Sequence, residues 1–404
     1  MAQIADLRKK GITTGKRWEV DYRDSVGKRK RARFDVKREA EAYLAEVTGS
    51  LNKGSYIDPK QGNKVTVSTL WLEYLERLST VGAGGRGATS AKTLDTYRRQ
   101  WENYIQPRWG DTRLASIHYE DVAEWILSLQ AVGRPSGNGG RLAGAETKKA
   151  VGALFSRMLD YAVNRRHLAR NPAKNSMGTA DYMPGKKEVR AAKRSHVHLT
   201  MRQLVAIAER CEGYSDLVML CGLGGLRWGE MSALQVADLT VGRKASVNVN
   251  RAYREIGGEL SLGPTKGGEH RLVPLPSLLT EALTTRIEGR PSTDLLFTSP
   301  NGGALRNNNF VRRFYKPAIE AAAQASEDPM AFPRPTFHDL RHTAVSLAIS
   351  QGANVKVVQR IAGHADATTT LNTYAGLFDE DLYDSADRLD KALRRAIERP
   401  STDM

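Results

Sequence analysis

The sequence holds only two cysteines, Cys211 and Cys221, in 404 residues. Two thiols cannot frame a disulfide-stapled fold and are too few for a zinc ribbon. No apolar run approaches the roughly 18 residues that a membrane helix needs, so no membrane span is expected. The opening stretch MAQIADLRKKGITTGKRW lacks an apolar core and a cleavage site, so it does not read as a secretory signal. No GxxxxGK[ST] loop is present to cradle a nucleotide, and no carboxylate cluster suggests Mg²⁺. Neither a cofactor nor a metal is therefore expected. There is no internal repeat. Acidic residues are the scarce charge, 45 against 61 basic, for a net charge of +16. Such a chain favours a polyanion, with nucleic acid the first candidate. An apolar content of 40% and a charged content of 26% suit globular folding. The length predicts two or three domains, in a reducing, intracellular compartment.

The positive charge is unevenly spread. Residues 1–60 carry net +6, residues 61–190 net +8, and residues 191–404 only +2. A basic front and a nearly neutral back imply that grip and chemistry are divided. In residues 1–60, Trp18, Val20 and Tyr22 alternate with polar neighbours and predict a strand. A turn at 25–28 leads to a second strand with Arg29, Arg31 and Arg33 on one face and Ala32 and Phe34 on the other. Ala40, Leu44 and Val47 then follow helical spacing. Three arginines on one face repel one another unless phosphates neutralise them, which points to DNA. A linker is expected at 49–64. Four helical stripes follow, led by Leu70 and Trp71, Leu94 and Trp101, Val122 and Trp125, and Val151 and Phe155. They predict a helical bundle over 64–180. Thr89 or Ser90 caps the second helix, and Pro107 with Gly110 ends it. Residues 171–198 show no periodicity and carry Lys186, Lys187 and Arg190, a basic linker with a further claim on DNA.

From residue 195 onward the composition turns to chemistry. An apolar run from Leu217 leads into LRWGEMSAL, which sets Arg227 and Glu230 three residues apart on one helix face. Segments 246–250, 259–262 and 271–275 alternate and predict one small antiparallel sheet, with Lys266 in a TKGG turn. PTFHDLRHTAVSLAIS places His338 and Arg341 at a helix start. Gly363-His364 follows, and Tyr374 comes ten residues later. Each piece alone has an ordinary explanation: a surface ion pair, a helix cap, a packed tyrosine. The ordered set does not.

In that order and spacing, the back half resembles the catalytic domain of the tyrosine recombinases, the phage integrase family. Residues 93–114 and 162–173 resemble its core-binding domain, and the front hairpin and helix its arm-binding domain. The resemblance implies a multidomain, mainly α architecture with small antiparallel sheets: an arm-type DNA-binding domain at 1–60, a helical core-binding domain at 64–180 and a catalytic domain at 195–404 with a C-terminal tail helix. One departure is Gly224-Gly225, where many relatives have Thr-Gly.

The resemblance also implies the reaction. Tyr374 attacks a phosphodiester, Arg227 and Arg341 clamp its oxygens, and His364 adds a hydrogen bond. Lys266 protonates the leaving 5′ oxygen, His338 serves as base or proton relay at Tyr374, and Glu230 orients a neighbour. Like bonds are exchanged for like, so no ATP is needed. The expected function is site-specific DNA recombination that integrates and excises a phage or mobile element. The expected partners are double-stranded attachment sites, three further copies of the chain, a host DNA-bending factor and an excision directionality factor, in a bacterial cytoplasm at the nucleoid. A chromosome or plasmid resolvase, a type IB topoisomerase and a non-catalytic DNA-binding regulator are the alternatives.

Overall fold

A computed structural model describes residues 2–24, 27–52, 56, 65–82, 85, 87–132, 141–191, 196–265, 268, 270–363, 368, 374, 389–391, 393–395 and 397. The chain divides into two compact units, Met1–Arg194 and Ser195–Met404.

The first unit holds two separate hydrophobic clusters. One lies under an antiparallel sheet of β1 (Gln3–Asp6), β2 (Trp18–Arg23) and β3 (Arg29–Phe34), packed on α1 (Lys37–Asn52). Val20 and Tyr22 of β2 and Ala40 and Val47 of α1 fill it. The hairpin and helix agree with the sequence pattern. Strand β1 does not figure in that pattern, because four residues are too short for a period-two signal. The register sets Glu19 opposite Arg33 and Asp21 opposite Arg31. The arginine row therefore faces acids of its own sheet. Arg33 Nε donates to Glu19 at 2.8 Å and Arg29 Nη2 to Asp21 at 2.5 Å. Arg31 Nε stands 3.4 Å from Asp21. The expectation that only phosphate could relieve these arginines is corrected: cross-strand acids already do so.

The second cluster is helical. Its elements are α2 (Val67–Thr80), α3 (Ala91–Gln100), α4 (Gln106–Trp109), α5 (Tyr119–Ser128) and α6 (Ala145–Asn164). Ser90 caps α3 by accepting from the Thr93 amide. Pro107 does not end the helical run. A π turn at Trp101–Ile105 precedes it, a wider register that accommodates a residue without a donor. The run continues to Trp109 and stops at Gly110. Trp71 and Trp101 stack at 5.1 Å, and Trp109 packs on Trp125 and Phe155. Beyond α6 the chain keeps to the bundle, where Tyr182 donates to the Ala173 carbonyl and buried Asn171 to the Ser156 carbonyl. The basic stretch then forms a short helix, α7 (Lys186–Ala191), rather than an irregular linker.

In the second unit, α8 (Met201–Glu209) starts at a Thr200–Gln203 capping box, in which each side chain meets the other's backbone amide. The apolar run becomes α9 (Ser215–Gly224), buried along most of its length, and α10 (Trp228–Met231) follows. The single expected sheet is two. Strands β4 (Leu239–Thr240), β5 (Ser246–Val249) and β8 (Arg271–Pro274) form one; β6 (Arg251–Ile256) and β7 (Glu259–Pro264) form a separate ribbon. The Gly257-Gly258 turn explains this. Both glycines have positive φ, and a two-residue turn of that kind pairs β7 with its immediate predecessor. Helices α11 (Ser277–Ile287), α12 (Asn307–Phe310) and α13 (Lys316–Gln324) complete the wall. A π turn at Val311–Tyr315 again stands just before a proline, Pro317. Helices α14 (Asp339–Ser350) and α15 (Val355–Ala362) carry the motif residues.

Candidate active site

Helix α9 ends at Gly225, whose φ of 65° is left-handed and comes cheaply only to glycine. Its neighbour Gly224 is closely packed: a Cβ would stand 2.9 Å from the Leu226 side chain and 3.0 Å from that of Val273, which would have to shift to admit it. The turn places Arg227 at the head of α10, where Glu230 accepts from the Arg227 backbone amide at 3.0 Å and from its Nη1 at 2.8 Å. Arg227 Nη2 donates to the Gly363 carbonyl at 3.2 Å, just beyond α15.

Glu230 is only 1% exposed. Burial alone would raise its pKa, but hydrogen bonds and charge from Arg271, with those of Arg227, hold it down to about 2. Arg271 on β8 donates to Glu230 from Nη2 at 2.6 Å and to the Ile361 carbonyl from Nε at 3.1 Å. Two arginines therefore converge on one buried carboxylate, a geometry that fixes both guanidinium planes.

Arg341 rises from α14 and is 4% exposed. Its Nη1 donates to the Gly225 carbonyl at 2.6 Å, on the same turn that launches Arg227. Burial, with Arg227 next in effect, lowers its pKa to about 9, so it stays charged at neutral pH. Its Nη2 is buried and has no hydrogen-bond partner among the described residues. A charged donor without an acceptor is costly, and an anion is the group that satisfies it.

Tyr374 is 3% exposed and packs with Val345, Ile349, Val358 and Ala362. Burial pushes its hydroxyl up to about 12, against the pull of Arg341. Its oxygen lies 2.6 Å from Nδ1 of His342. The imidazole that meets the hydroxyl is therefore His342, one turn along α14 from His338. His338 heads α14 with its ring 5.1 Å from that of His342. Burial and then Arg341 lower the His338 pKa.

Of the residues singled out in the sequence, Arg227, Glu230, His338, Arg341 and Tyr374 thus stand in one connected site. Lys266 and His364 lie outside the described residues. Lys187 is exposed on α7, while the side chains of Lys186 and Arg190 lie outside the described ones. Arg29, Arg31 and Arg33 sit in the other unit, on the sheet face described above.

Arg271, His342 and His196 belong to the site without having been singled out. His342 had a signal, since it lies four residues after His338 and shares its helix face. The ring of His196 stacks on that of His342 at 3.6 Å and 24°. His196, Asp339 and His342 offer possible ligand atoms within 4.8 Å of one another. The near-parallel rings send their in-plane lone pairs side by side instead of toward one ion, which does not fit a tetrahedral metal centre.

The sequence pattern of the phage integrase family matches residues 198–381, the stretch that holds every motif residue of this site. Residues 198–381 belong to the phage integrase family of tyrosine recombinases. This recombinase is 26% identical over 311 residues to the tyrosine recombinase XerD of Mycobacterium tuberculosis (strain CDC 1551 / Oshkosh), covering 74% of this chain and 89% of that one. An integrase of Streptomyces ambofaciens is 24% identical over 374 residues, covering 87% and 86%. Among solved structures, the Tn1549 transposon integrase in complex with a circular intermediate DNA has a TM-score of 0.60 at 20% identity, covering 77% of this chain and 95% of that one. The lambda integrase tetramer bound to a Holliday junction has a TM-score of 0.54 at 20% identity, covering 86% and 94%. Both share the mixed helical fold with small antiparallel sheets.

Proposed function

We propose that this tyrosine recombinase is the integrase of a phage or related mobile element, cutting and rejoining double-stranded attachment sites through a 3′-phosphotyrosyl link on Tyr374 and a Holliday junction. One observation carries this reading: Arg341 is buried and charged, with an unpartnered Nη2, beside Arg227 and near Tyr374. That is an anion site next to a hydroxyl, which is what attack on a phosphodiester requires. Arg227 and Arg341 take the non-bridging oxygens. Glu230 and Arg271 keep Arg227 in plane. From the motif order, Lys266 protonates the departing 5′ oxygen and His364 adds a hydrogen bond to the phosphate.

The division of labour proposed is an arm-type DNA-binding domain over 1–60, a core-binding domain over 64–180 and a catalytic domain over 195–404. Arg29, Arg31 and Arg33 exchange their carboxylate partners for arm-site phosphates, while Lys186, Lys187 and Arg190 line the path of the core DNA. Four copies hold two DNA segments, assisted by a DNA-bending protein of the host and a directionality factor for excision. The place of action is the bacterial cytoplasm, at the nucleoid. No helix among the described residues is long and apolar enough to cross a membrane. A non-catalytic regulator would leave the Tyr374–His342 contact and the unpartnered Arg341 donor without a use.

The test is a nicked attachment-site duplex incubated with the protein and resolved under denaturing conditions. Wild type gives a covalent protein–DNA product. Tyr374→Phe binds the duplex but gives none, because only the attacking oxygen is lost. A covalent product from the Phe variant would overturn the assignment.

A further inference from the structure

The family motif offers His338 as the proton partner of the nucleophile, yet the hydroxyl of Tyr374 meets a different imidazole. We propose that His342 is a catalytic residue of this enzyme, the base that takes the Tyr374 proton through Nδ1, with His196 holding its ring in position. This rests on the reading of Tyr374 as nucleophile.

The geometry carries the inference. Nδ1 of His342 lies 2.6 Å from the Tyr374 oxygen, the one imidazole contact to that hydroxyl among the described residues. Proton transfer needs a base at about that distance. The other ring nitrogen, Nε2, is buried with no hydrogen-bond partner among the described residues, so no second bond holds the ring in one tautomer. The tautomer with its proton on Nε2 is the one in which Nδ1 accepts from the phenol. His196 covers one ring face by stacking at 3.6 Å, and its own Nδ1 stands 3.6 Å from Asp339 Oδ1. His198 and His338 approach edge-on at 6.3 and 5.1 Å. The ring is thus held from several sides while one nitrogen faces the nucleophile.

The electrostatics of the site suit a base that gains strength as DNA binds. Burial first, then His196 and His338, lower the His342 pKa to about 3, so the ring is neutral without DNA. Asp339 opposes this shift. The tyrosine is a weak acid for the same reason, burial. The pair therefore rests as a neutral hydrogen bond, and Tyr374 is not ionised at random. A phosphodiester held by Arg227 and Arg341 brings further negative charge toward the ring. That charge raises the basicity of His342. In the step, the Tyr374 oxygen forms a bond to phosphorus, the bond from phosphorus to the 5′ oxygen breaks, the phenolic proton passes to Nδ1, and the 5′ oxygen takes a proton from solvent water or the site's own acid. Rejoining runs the same transfers backward.

The test is single-turnover formation of the covalent product on the nicked duplex by wild type, His342→Ala and His342→Gln. Both variants are expected to fall on the order of 100-fold in rate while binding the duplex normally. Added imidazole, which fits the space left in His342→Ala, is expected to restore its rate by about tenfold and to leave wild type unchanged. Glutamine keeps the packing and a hydrogen bond but cannot hold a proton, so it separates a base from a merely structural ring. A rate within about threefold of wild type for His342→Gln would overturn the proposal. So would a deficit in His342→Ala that imidazole leaves untouched. Failure of wild type itself to form the product would remove the nucleophile reading beneath; product from wild type and His342→Gln alike would remove only the base.

Discussion

Arg271 on β8 and Glu230 on α10 meet at 2.6 Å, 41 residues apart in sequence, and the same guanidinium reaches the Ile361 carbonyl at 3.1 Å. One side chain thereby ties the sheet edge to the carboxylate that orients Arg227 and to the end of α15.

The buried carboxylate gives this tie a pH signature. Glu230 is held below its ordinary value of 4.5, down to about 2, in the folded protein. Its contribution to stability is whole above the ordinary carboxylate range and is lost as pH falls from there through about 2. Glu230→Gln should cost about 3 kcal/mol at neutral pH, because it leaves two partly buried arginines uncompensated. It should also flatten the acid limb of melting temperature against pH. Melts of both proteins between pH 7 and pH 2.5 check this; parallel acid limbs would contradict it.

Arg227→Lys and Arg341→Lys keep the charge but lose the fork. A lysine at 341 cannot bond the Gly225 carbonyl and still aim a second donor at a phosphate in the plane of the first. Each variant should cleave on the order of 100-fold more slowly, with duplex binding retained. Single-turnover cleavage measured beside a gel-shift titration separates the two effects, and near-normal cleavage by both variants would exclude the clamp.

The arm sheet makes a prediction about salt. Arg29, Arg31 and Arg33 have side chains 50–57% exposed, yet each is already beside Asp21 or Glu19. The double variant Glu19→Gln with Asp21→Asn should free them. Binding to a long attachment site should tighten, and the slope of log affinity against log salt should steepen by about 0.9 for each new phosphate contact. Deleting residues 1–60 should remove a footprint separate from the crossover site while sparing cleavage there. An unchanged salt slope and identical footprints would deny the arm a DNA role.

Near the C-terminus, Leu389, Leu393 and Ile397 recur at helical spacing and are 71%, 59% and 71% exposed. An apolar stripe left open in this way fits a neighbouring copy better than its own core. Removing residues 380–404 should leave half-site binding and the melting temperature close to wild type but weaken assembly on paired sites. If truncation instead lowers the melt and half-site binding while synapsis stays normal, the helix belongs to its own unit.

The parts of the fold and site legible in the sequence are those written in short range. Arg227 with Glu230, and His338 with Arg341, are three residues apart, so helical geometry alone places each pair. The stripes of the bundle are legible because Leu70, Trp71 and Tyr74 repeat with the helix. Arg271 and His196 act across long separations and nothing local marks them, while β1 is too short to show a period. The arginine row shows how this matters. Its spacing gave the right face of β3, but the acids that neutralise it sit on β2, and only the strand register reveals them. Pro107 taught the converse lesson: a local rule for ending helices yields to a π turn five residues long.

The Nη2 of Arg341, without a partner among the described residues, also links DNA to the stability of the fold. If Arg341 takes a phosphate oxygen as proposed, bound DNA gives that donor an acceptor. Phosphate binding and folding are then linked equilibria, so DNA shifts the unfolding transition as well as occupying a surface. The region around Gly225 and α14 should resist amide exchange more strongly with a duplex present than without one.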